Sequence, residues 1–389
     1  MNFRTIPPVG YRISVKNALK AFINRNTVDK HHTNNTVTIA FDSGSSALLF
    51  LLKLLKVKNP CKTQVVVPVY TCYSIAAVIE YAGLEVVLCD LDPDTLDFNY
   101  SDLEQCLNKN TLCIISTHFF GRRINNIKLA EIKNKNAITI IEDAAQGGYS
   151  IKNLDEFSDF IITSTGRGKP ISTMGGGYLL TRSTNQYADL LLTEYEGLKD
   201  ESILSDLIVL AKIFIVNILL NPYLYTIPSV IPYFRLGETV YPELMPIKKL
   251  TRFQQKLLSY EKTSNIFDNR HKAAVYYHGF IKKSLCKQPH SSQFDIDNYQ
   301  PVRFPVYMNS DIDKLPIALL KKLSRYGIVS MYPKLLSELE PIKLFCSSYE
   351  KSFPGGEYLA RRLVTLPTHT LLGKKDIENI VLSISKVAS

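Results

Sequence analysis

The feature that most constrains the fold is a regular alternation of short apolar runs and helical patterns between residues 38 and 182. Strands that are apolar along their whole length, with helices between them, are typical of a mostly parallel sheet covered on both faces. We therefore predict an α/β fold with a seven-stranded sheet. The predicted strands are 37–41, 64–67, 85–88, 112–116, 138–141, 160–163 and 178–181, with helices at 46–55 and 74–82 between the first of them.

The rest of the chain has a different pattern. A long helical region at 186–262 is followed by mixed signals. These predict a strand at 303–307 and helices at 312–326, 358–364 and 375–387. A chain of 389 residues is long enough for two domains. We therefore predict an N-terminal arm (1–36), a large α/β domain (37–262) and a smaller C-terminal α+β domain (263–389).

Chemically distinctive residues follow the predicted strands, at the edge where ligands bind in such sheets. Gly44 and Ser45 open the first helix, Asp143 follows the fifth strand, and Lys169 lies on a glycine-rich loop after the sixth. Each has an ordinary explanation when taken alone: a turn, a helix cap or a solvated lysine. Taken together and in this order, they predict a site for pyridoxal phosphate (PLP).

Each part of that cofactor has a predicted partner. The amine of Lys169 bonds to the aldehyde and later moves a proton at the substrate carbon. The Asp143 carboxylate pairs with the pyridinium nitrogen, and the Gln146 amide donates to the ring hydroxyl. The backbone at Gly44 approaches the phosphate closely at the start of a helix. The hydroxyl groups of Ser45 and Ser164 donate to the same phosphate.

Two further residues have open interpretations. Asp159 lies ten residues before Lys169 and either supports the site or caps a loop. His118 follows the fourth predicted strand and is a site candidate, although a histidine there is often structural. We predict no metal site.

Composition limits the partners and the compartment. The formal net charge is +10, but there is no basic stripe interleaved with aromatic residues and no zinc-finger spacing, so we expect no nucleic-acid partner. The seven cysteines are odd in number and form no CxxC pair. Reduced thiols explain them best, and the N-terminus lacks the apolar stretch of a signal peptide. We expect a cytoplasmic protein.

An unusually apolar stretch occupies 203–233. Asp206, Lys212 and Asn217 interrupt it, whereas a membrane-spanning helix needs about 20 apolar residues with few charges. We expect a helix that is buried or lies in a subunit interface. The alternative is weak peripheral contact with the inner face of a membrane.

Together these motifs resemble the DegT/DnrJ/StrS family of sugar aminotransferases over nearly the whole chain. The resemblance implies the fold-type-I PLP architecture, a homodimer, and transfer of an amino group from glutamate to a keto sugar, nucleotide-linked in most members. A dehydratase branch of the family has histidine in place of Lys169. The matching runs are 43–47 (phosphate loop), 67–71 (Pro-x-x-Thr), 81–95, 142–146 (the most specific), 159–169 and 353–369.

The chain departs from the family pattern at three places. Cys72 stands where an aromatic residue usually stacks on the cofactor ring, so Tyr70, Tyr73 or His118 stacks instead, or the thiol covers the ring. Lys249 replaces an arginine that reaches the phosphate of the neighbouring subunit. The apolar region around 200–240 is longer than usual.

The candidate substrate contacts are Tyr70, His118 and Arg167. Two alternatives to a nucleotide-sugar aminotransferase remain open at this point. One is a PLP enzyme for a lipid-linked or other amphiphilic substrate, which the apolar stretch suggests. The other is a non-catalytic regulatory or scaffold protein on the same fold.

Overall fold

A seven-stranded sheet forms the centre of the computed structural model, which describes residues 4–26, 35–122, 126–147, 158–227, 241, 246–261, 264–281, 287–289, 296, 299 and 301–388. The strand order is β1-β7-β6-β5-β4-β2-β3, and the five strands from β2 to β6 run parallel. β7 runs antiparallel to both β6 and β1. The strands are β1 (Thr36–Phe41), β2 (Gln64–Pro68), β3 (Glu85–Cys89), β4 (Thr111–Thr117), β5 (Thr139–Asp143), β6 (Phe160–Ser164) and β7 (Gly177–Arg182).

The predicted α/β architecture is confirmed, and the strand pattern has a simple cause. β4 is buried at all seven positions, because helices cover both faces of a parallel sheet and leave its central strands without a solvent side. These helices are α2 (Gly44–Lys58), α3 (Tyr73–Tyr81), α4 (Tyr100–Cys106) and α5 (Asn126–Asn136).

The region after the sheet is helical, as predicted, over the residues that the structure describes. It contains α6 (Ala188–Glu196), α7 (Ile203–Leu219) and α8 (Arg252–Tyr260), while 228–240, 242–245 and 262 lie outside the described residues. The N-terminal helix α1 (Val15–Ile23) packs against α7 and α8. Among the described residues, no helix combines the length and apolar character needed to cross a membrane.

A second, antiparallel sheet of three strands lies in the C-terminal third. Its order is β8-β10-β9, and it packs with three helices in a separate apolar core. The elements are β8 (Arg303–Tyr307), β9 (Val329–Ser330) and β10 (Leu363–Pro367), with helices α9 (Ser264–Ile281), α10 (Ile317–Arg325) and α12 (Lys374–Ala388).

Two helix predictions in this part need correction. The helix predicted at 312–326 begins only at Ile317, because Pro316 holds the preceding Leu315 in an extended conformation after a single 3₁₀ turn. The helix predicted at 358–364 is α11 (Pro354–Arg362), which starts earlier and ends before Leu363. Its last two predicted residues belong to β10, which is buried at every position and pairs with a strand on each side.

A buried carboxylate joins the C-terminal part to the large sheet. Asp90, just after β3, accepts hydrogen bonds from the backbone N–H groups of Gly355 (2.9 Å) and Gly356 (2.8 Å) at the start of α11. A side chain at Gly355 would collide with the carbonyl of Leu91. Because the start of α11 is held against the large sheet in this way, Phe353 and neighbouring residues enter the core of that sheet. The domain boundaries stay a prediction.

Candidate active site

The start of α2 is the first part of the site. The Ser43 hydroxyl accepts a hydrogen bond from the backbone N–H of Ser46 (3.1 Å), which caps the helix and leaves the preceding N–H groups at Gly44 and Ser45 outside that cap. A Cβ atom at Gly44 would lie 3.3 Å from the carbonyl oxygen of Thr163. The absence of a side chain therefore lets the helix start lie against the end of β6.

The glycine run at 175–177 makes the same approach possible from β7. Ser43 forms a β-bridge with Gly176, and a Cβ atom at Gly177 would overlap the backbone nitrogen of Gly44. Gly176 also has φ of 110°, a conformation that residues with a side chain rarely adopt. This glycine run therefore positions the start of α2 against the sheet.

The loop that carries Lys169 is held by short hydroxyl contacts at its base. The Thr165 hydroxyl lies 2.9 Å from that of Thr173 and donates to the Gly175 carbonyl (2.8 Å). The Gln254 amide of α8 donates to the Thr173 carbonyl (2.9 Å). Because both ends of the loop are fixed, the half-buried Lys169 projects from a closed turn rather than from a free loop.

Asp143 ends β5 and lines a cavity together with Gly44 and Ser45 of α2. One carboxylate oxygen accepts a hydrogen bond from the Ala145 N–H (3.0 Å). The neighbouring Glu142 is buried and pairs with His118, whose Nε2 lies 2.9 Å from the Glu142 carboxylate. Alternation along the strand thus separates Asp143, which lines a cavity, from Glu142, which does not.

Gln146 is fixed through both ends of its amide. Its oxygen accepts a hydrogen bond from the Phe120 N–H (3.1 Å), and its nitrogen donates to the hydroxyl of Tyr332 (3.0 Å). The amide orientation is therefore set by the protein, and the second N–H of the amide is left for a ligand.

These residues surround a cavity of about 450 Å³, within the size range of small-molecule sites. All the predicted cofactor contacts except one line it. They are Gly44, Ser45, Cys72, Asp143, Gln146, Ser164 and Lys169, and Tyr73, Ala145 and Tyr332 line it with them.

The donor set fits PLP. A helix start without side chains at Gly44 suits a phosphate group. Asp143 retains a carboxylate oxygen with no described hydrogen bond, as a protonated ring nitrogen requires, and Lys169 supplies an amine at the same cavity. Cys72 and Tyr73, at the start of α3, line another wall of this cavity. The Cys72 thiol lies 3.0 Å from the Ser74 hydroxyl.

The remaining predicted residues lie elsewhere. Tyr70 is fully buried behind Tyr332, with ring centroids 5.1 Å apart, and does not line the cavity. His118 is occupied by its pairing with the buried glutamate described above. Lys249 pairs with Asp200 of its own chain (3.2 Å). Arg167 lines a second cavity on the other side of the lysine. The roles predicted for these four stay predictions.

Asp159 lies at the opposite end of the sheet. It is near the start of β6, where its carboxylate accepts from the Ile140 N–H (2.9 Å) and contacts the Lys133 amine (2.7 Å). Asp159 therefore joins two strands and a helix, and does not contact the cavity.

Tyr332 is the main site residue that the sequence analysis did not identify. It follows the two-residue strand β9 and reaches the cavity from a different part of the chain. No local pattern marks it, since only the docking of the C-terminal part brings it to Gln146.

Part of the chain is similar to one known protein family. Residues 25–208 match the model of the DegT/DnrJ/EryC1/StrS aminotransferase family. GDP-perosamine synthase of Escherichia coli O157:H7 is 26% identical over 185 residues, which is 47% of this chain and 50% of that protein. The chain thus matches about half the length of this curated relative.

Solved structures match over more of the chain. Helicobacter pylori PseC, an aminotransferase involved in the biosynthesis of pseudoaminic acid, has a TM-score of 0.73 at 17% identity, covering 99% of this chain and 98% of that one. A Streptococcus pneumoniae chain solved in a PLP form has a TM-score of 0.67 at 17% identity, covering 98% and 92%. At these identities the structures show a common fold.

We expect Gly177→Ala to destabilise the protein by about 2 kcal/mol or more, because backbone atoms of α2 cannot move away without displacing the whole helix start. The matched control is Gly279→Ala in α9, where an added Cβ meets nothing within 4 Å. That change adds about 1 kcal/mol of stability or is neutral. Chemical denaturation measures both, and equal stabilities of the two variants would contradict the packing described here.

Proposed function

We propose that the chain is a PLP-dependent aminotransferase of the DegT/DnrJ/EryC1/StrS family that acts on a keto sugar, and the match of residues 25–208 to that family's model supports this. The observation that carries the proposal is one cavity lined by the start of α2, Asp143 and Lys169. These are the three contacts that hold the phosphate, the ring nitrogen and the aldehyde carbon of PLP. When bound, PLP supplies a carbonyl for the amino group and a ring that accepts electrons.

Lys169 then has two tasks. Its amine holds the cofactor covalently between reactions, and after release it carries a proton to and from the substrate carbon. A lysine that moves a proton at a fixed atom needs a fixed backbone, which the hydrogen-bonded loop base at Thr165 and Thr173 provides. Asp143 keeps a proton on the ring nitrogen through its negative charge.

Gln146 and Tyr332 orient the other side of the ring. The Gln146 amide is held by Phe120 and Tyr332, so its remaining N–H has one direction available for the ring hydroxyl. Because this contact is neutral, it orients the ring without competing with Asp143 for the charge.

The family resemblance and the name of one relative support a proposal for the substrates. We propose glutamate as the amino donor and a nucleotide-linked keto sugar as the acceptor, in the synthesis of a surface polysaccharide or other glycan. GDP-perosamine synthase is a relative whose name contains a nucleotide sugar. A lipid-linked acceptor is the alternative.

We propose further that the enzyme is a homodimer. The face formed by α1 and α7 is apolar and exposed, with Leu204, Ile215 and Ile218 each 57–62% accessible in the single chain. A surface of this kind favours a partner, and a second copy is the occupant expected from the resemblance. By the same resemblance, Lys249 reaches the phosphate in the neighbouring subunit. The competing occupant is an anionic membrane surface.

Sedimentation of wild type and Lys249→Glu tests the dimer. We expect wild type to sediment as a dimer, and the variant to lose PLP at least tenfold more readily through repulsion between the glutamate and the phosphate. Lys248→Glu, which removes a more exposed lysine beside it, is the control. A monomer that floats with anionic vesicles at low salt would instead favour membrane contact.

Replacement of Lys169 tests the proposed function most simply. Wild type saturated with PLP should absorb visible light, and glutamate should abolish that absorbance. Lys169→Ala should show neither the covalent absorbance nor turnover, while its circular dichroism and melting temperature stay close to those of wild type. A Lys169→Ala protein that turns over, or a wild type that binds no PLP, would sink the aminotransferase proposal. The latter result would favour a regulatory role.

Asp143→Asn and Asp159→Asn separate chemistry from structure. The first removes the charge that keeps the ring nitrogen protonated, so we expect turnover to fall at least a hundredfold with little change in stability. The second breaks the strand and helix contacts of Asp159, so we expect lower stability and nearly normal turnover. Steady-state kinetics and thermal unfolding measure both, and equal losses of turnover would refute this division of roles.

A further inference from the structure

A second cavity of about 380 Å³ lies on the other side of Lys169. Lys169 and Gln146 line both cavities, so the two spaces meet at the reacting amine. The walls of the second cavity come from four parts of the chain: the N-terminal arm, the lysine loop, α7 and the C-terminal part. This is the space in which a substrate would meet the cofactor.

An unpaired buried cation lines this second cavity. Arg270, on α9, is 2% exposed, and its Nε and Nη1 atoms have no hydrogen-bond partner among the residues that the structure describes. Burial lowers the pKa of Arg270 to about 10, so the guanidinium is still protonated at neutral pH. The described ion pairs include none to this residue.

Two more arginines line the same cavity. Arg303, at the start of β8, has its pKa lowered by burial, and Arg167 lies on the lysine loop. Tyr225 lines the cavity with them, and its pKa is raised by burial and lowered by the charges of both arginines. Neither takes part in an ion pair within the described part of the chain.

Tyr11, which also lines the cavity, binds an acid that does not line it. Glu261 accepts hydrogen bonds from the Tyr11 hydroxyl and from the Asn17 amide (3.2 Å). Tyr11 lines the cavity, so its phenol stands between the glutamate and the open space. The cavity is therefore positively charged, with no carboxylate lining it among the described residues.

A buried charge without a partner destabilises a fold, and a bound anion would compensate that charge. We propose that this second cavity is an anion subsite of the active site, in which Arg270, assisted by Arg303 and Arg167, binds a carboxylate or phosphate group of a substrate. Only the identity of the substrate that carries the anion, either the amino donor or the sugar phosphate, rests on the proposed function.

The opposite wall defines what adjoins that anion. Val216, Leu219 and Leu220, at the end of α7, line it. Apolar walls exclude water and strengthen an ion pair with Arg270. They also suit the methylene groups of an aliphatic substrate better than a sugar ring. The apolar end of α7 thus has a role in substrate selection, separate from the dimer contact proposed for the exposed face of this helix.

Thermal unfolding of the PLP-saturated enzyme tests the subsite. PLP occupies the phosphate position at α2, so added anions report on the second cavity. The probes are glutarate, an unreactive dicarboxylate, and inorganic phosphate, at constant ionic strength in chloride. We expect at least one probe to raise the melting temperature of wild type. Arg270→Gln should need at least a tenfold higher concentration of that probe for the same rise. Arg361→Gln removes an exposed arginine from α11 and should respond as wild type does.

The two probes distinguish the two possible sources of the anion, the carboxylate of the amino donor and the phosphate of the acceptor. If Arg270→Gln loses the glutarate response and needs a tenfold higher glutamate concentration to lose half of its visible absorbance, the site binds the carboxylate of the amino donor. If Arg270→Gln loses only the phosphate response, the site binds a phosphate group of the acceptor sugar. Arg303→Gln replaces Arg270→Gln if the latter does not fold. A variant that responds to both probes as wild type does, or a wild type that responds to neither, overturns the proposal. Glutarate stabilisation without any transamination would leave the subsite standing and the proposed function refuted.

Discussion

The contact between the start of α2 and the first residue of β7 is the constraint on which the rest of the site depends. Backbone touches backbone there, since a Cβ atom at Gly177 would overlap the backbone of Gly44, and one at Gly44 would lie only 3.3 Å from the Thr163 carbonyl oxygen. This brings the uncapped N–H groups of α2 to the edge of the sheet where β5 and β6 end. The phosphate position, Asp143 and the lysine loop are thereby fixed relative to one another by the sheet itself.

A second contact completes the site from a distance. Asp90 holds the start of α11 through two N–H groups, and this joins the small antiparallel sheet to the large one. Tyr332 and Arg303 reach the two cavities from that smaller sheet. The parallel sheet supplies the proposed cofactor contacts, and the C-terminal part lines much of the second cavity, where we propose that the substrate binds. Substrate specificity can therefore change in the C-terminal part and in α7 without disturbing the cofactor contacts.

The sequence predicts the large sheet well because its strands are apolar at every position and its helices lie between them. The seven predicted strands match the observed strands to within two residues at each end. Most of the residues predicted to contact the cofactor line one cavity, because they lie close after those strands. The sequence does not predict the contacts that depend on tertiary structure. Tyr332 and Arg270 belong to no motif, and only folding brings them to Lys169. The misplaced helix at 358–364 shows the same limit, since β10 is a strand because of its two partners and not because of its own residues.

Borohydride reduction of the PLP-saturated enzyme, followed by proteolysis and mass spectrometry, tests the central claim most directly. Reduction makes the link between cofactor and lysine permanent, so the modified residue can be identified. In the wild-type protein we expect a single phosphopyridoxyl group, on the peptide that contains Lys169. The Lys169→Ala variant, which keeps Asp143 and the start of α2, should carry no such group. A label on another lysine, or no label on the wild-type protein, would contradict it.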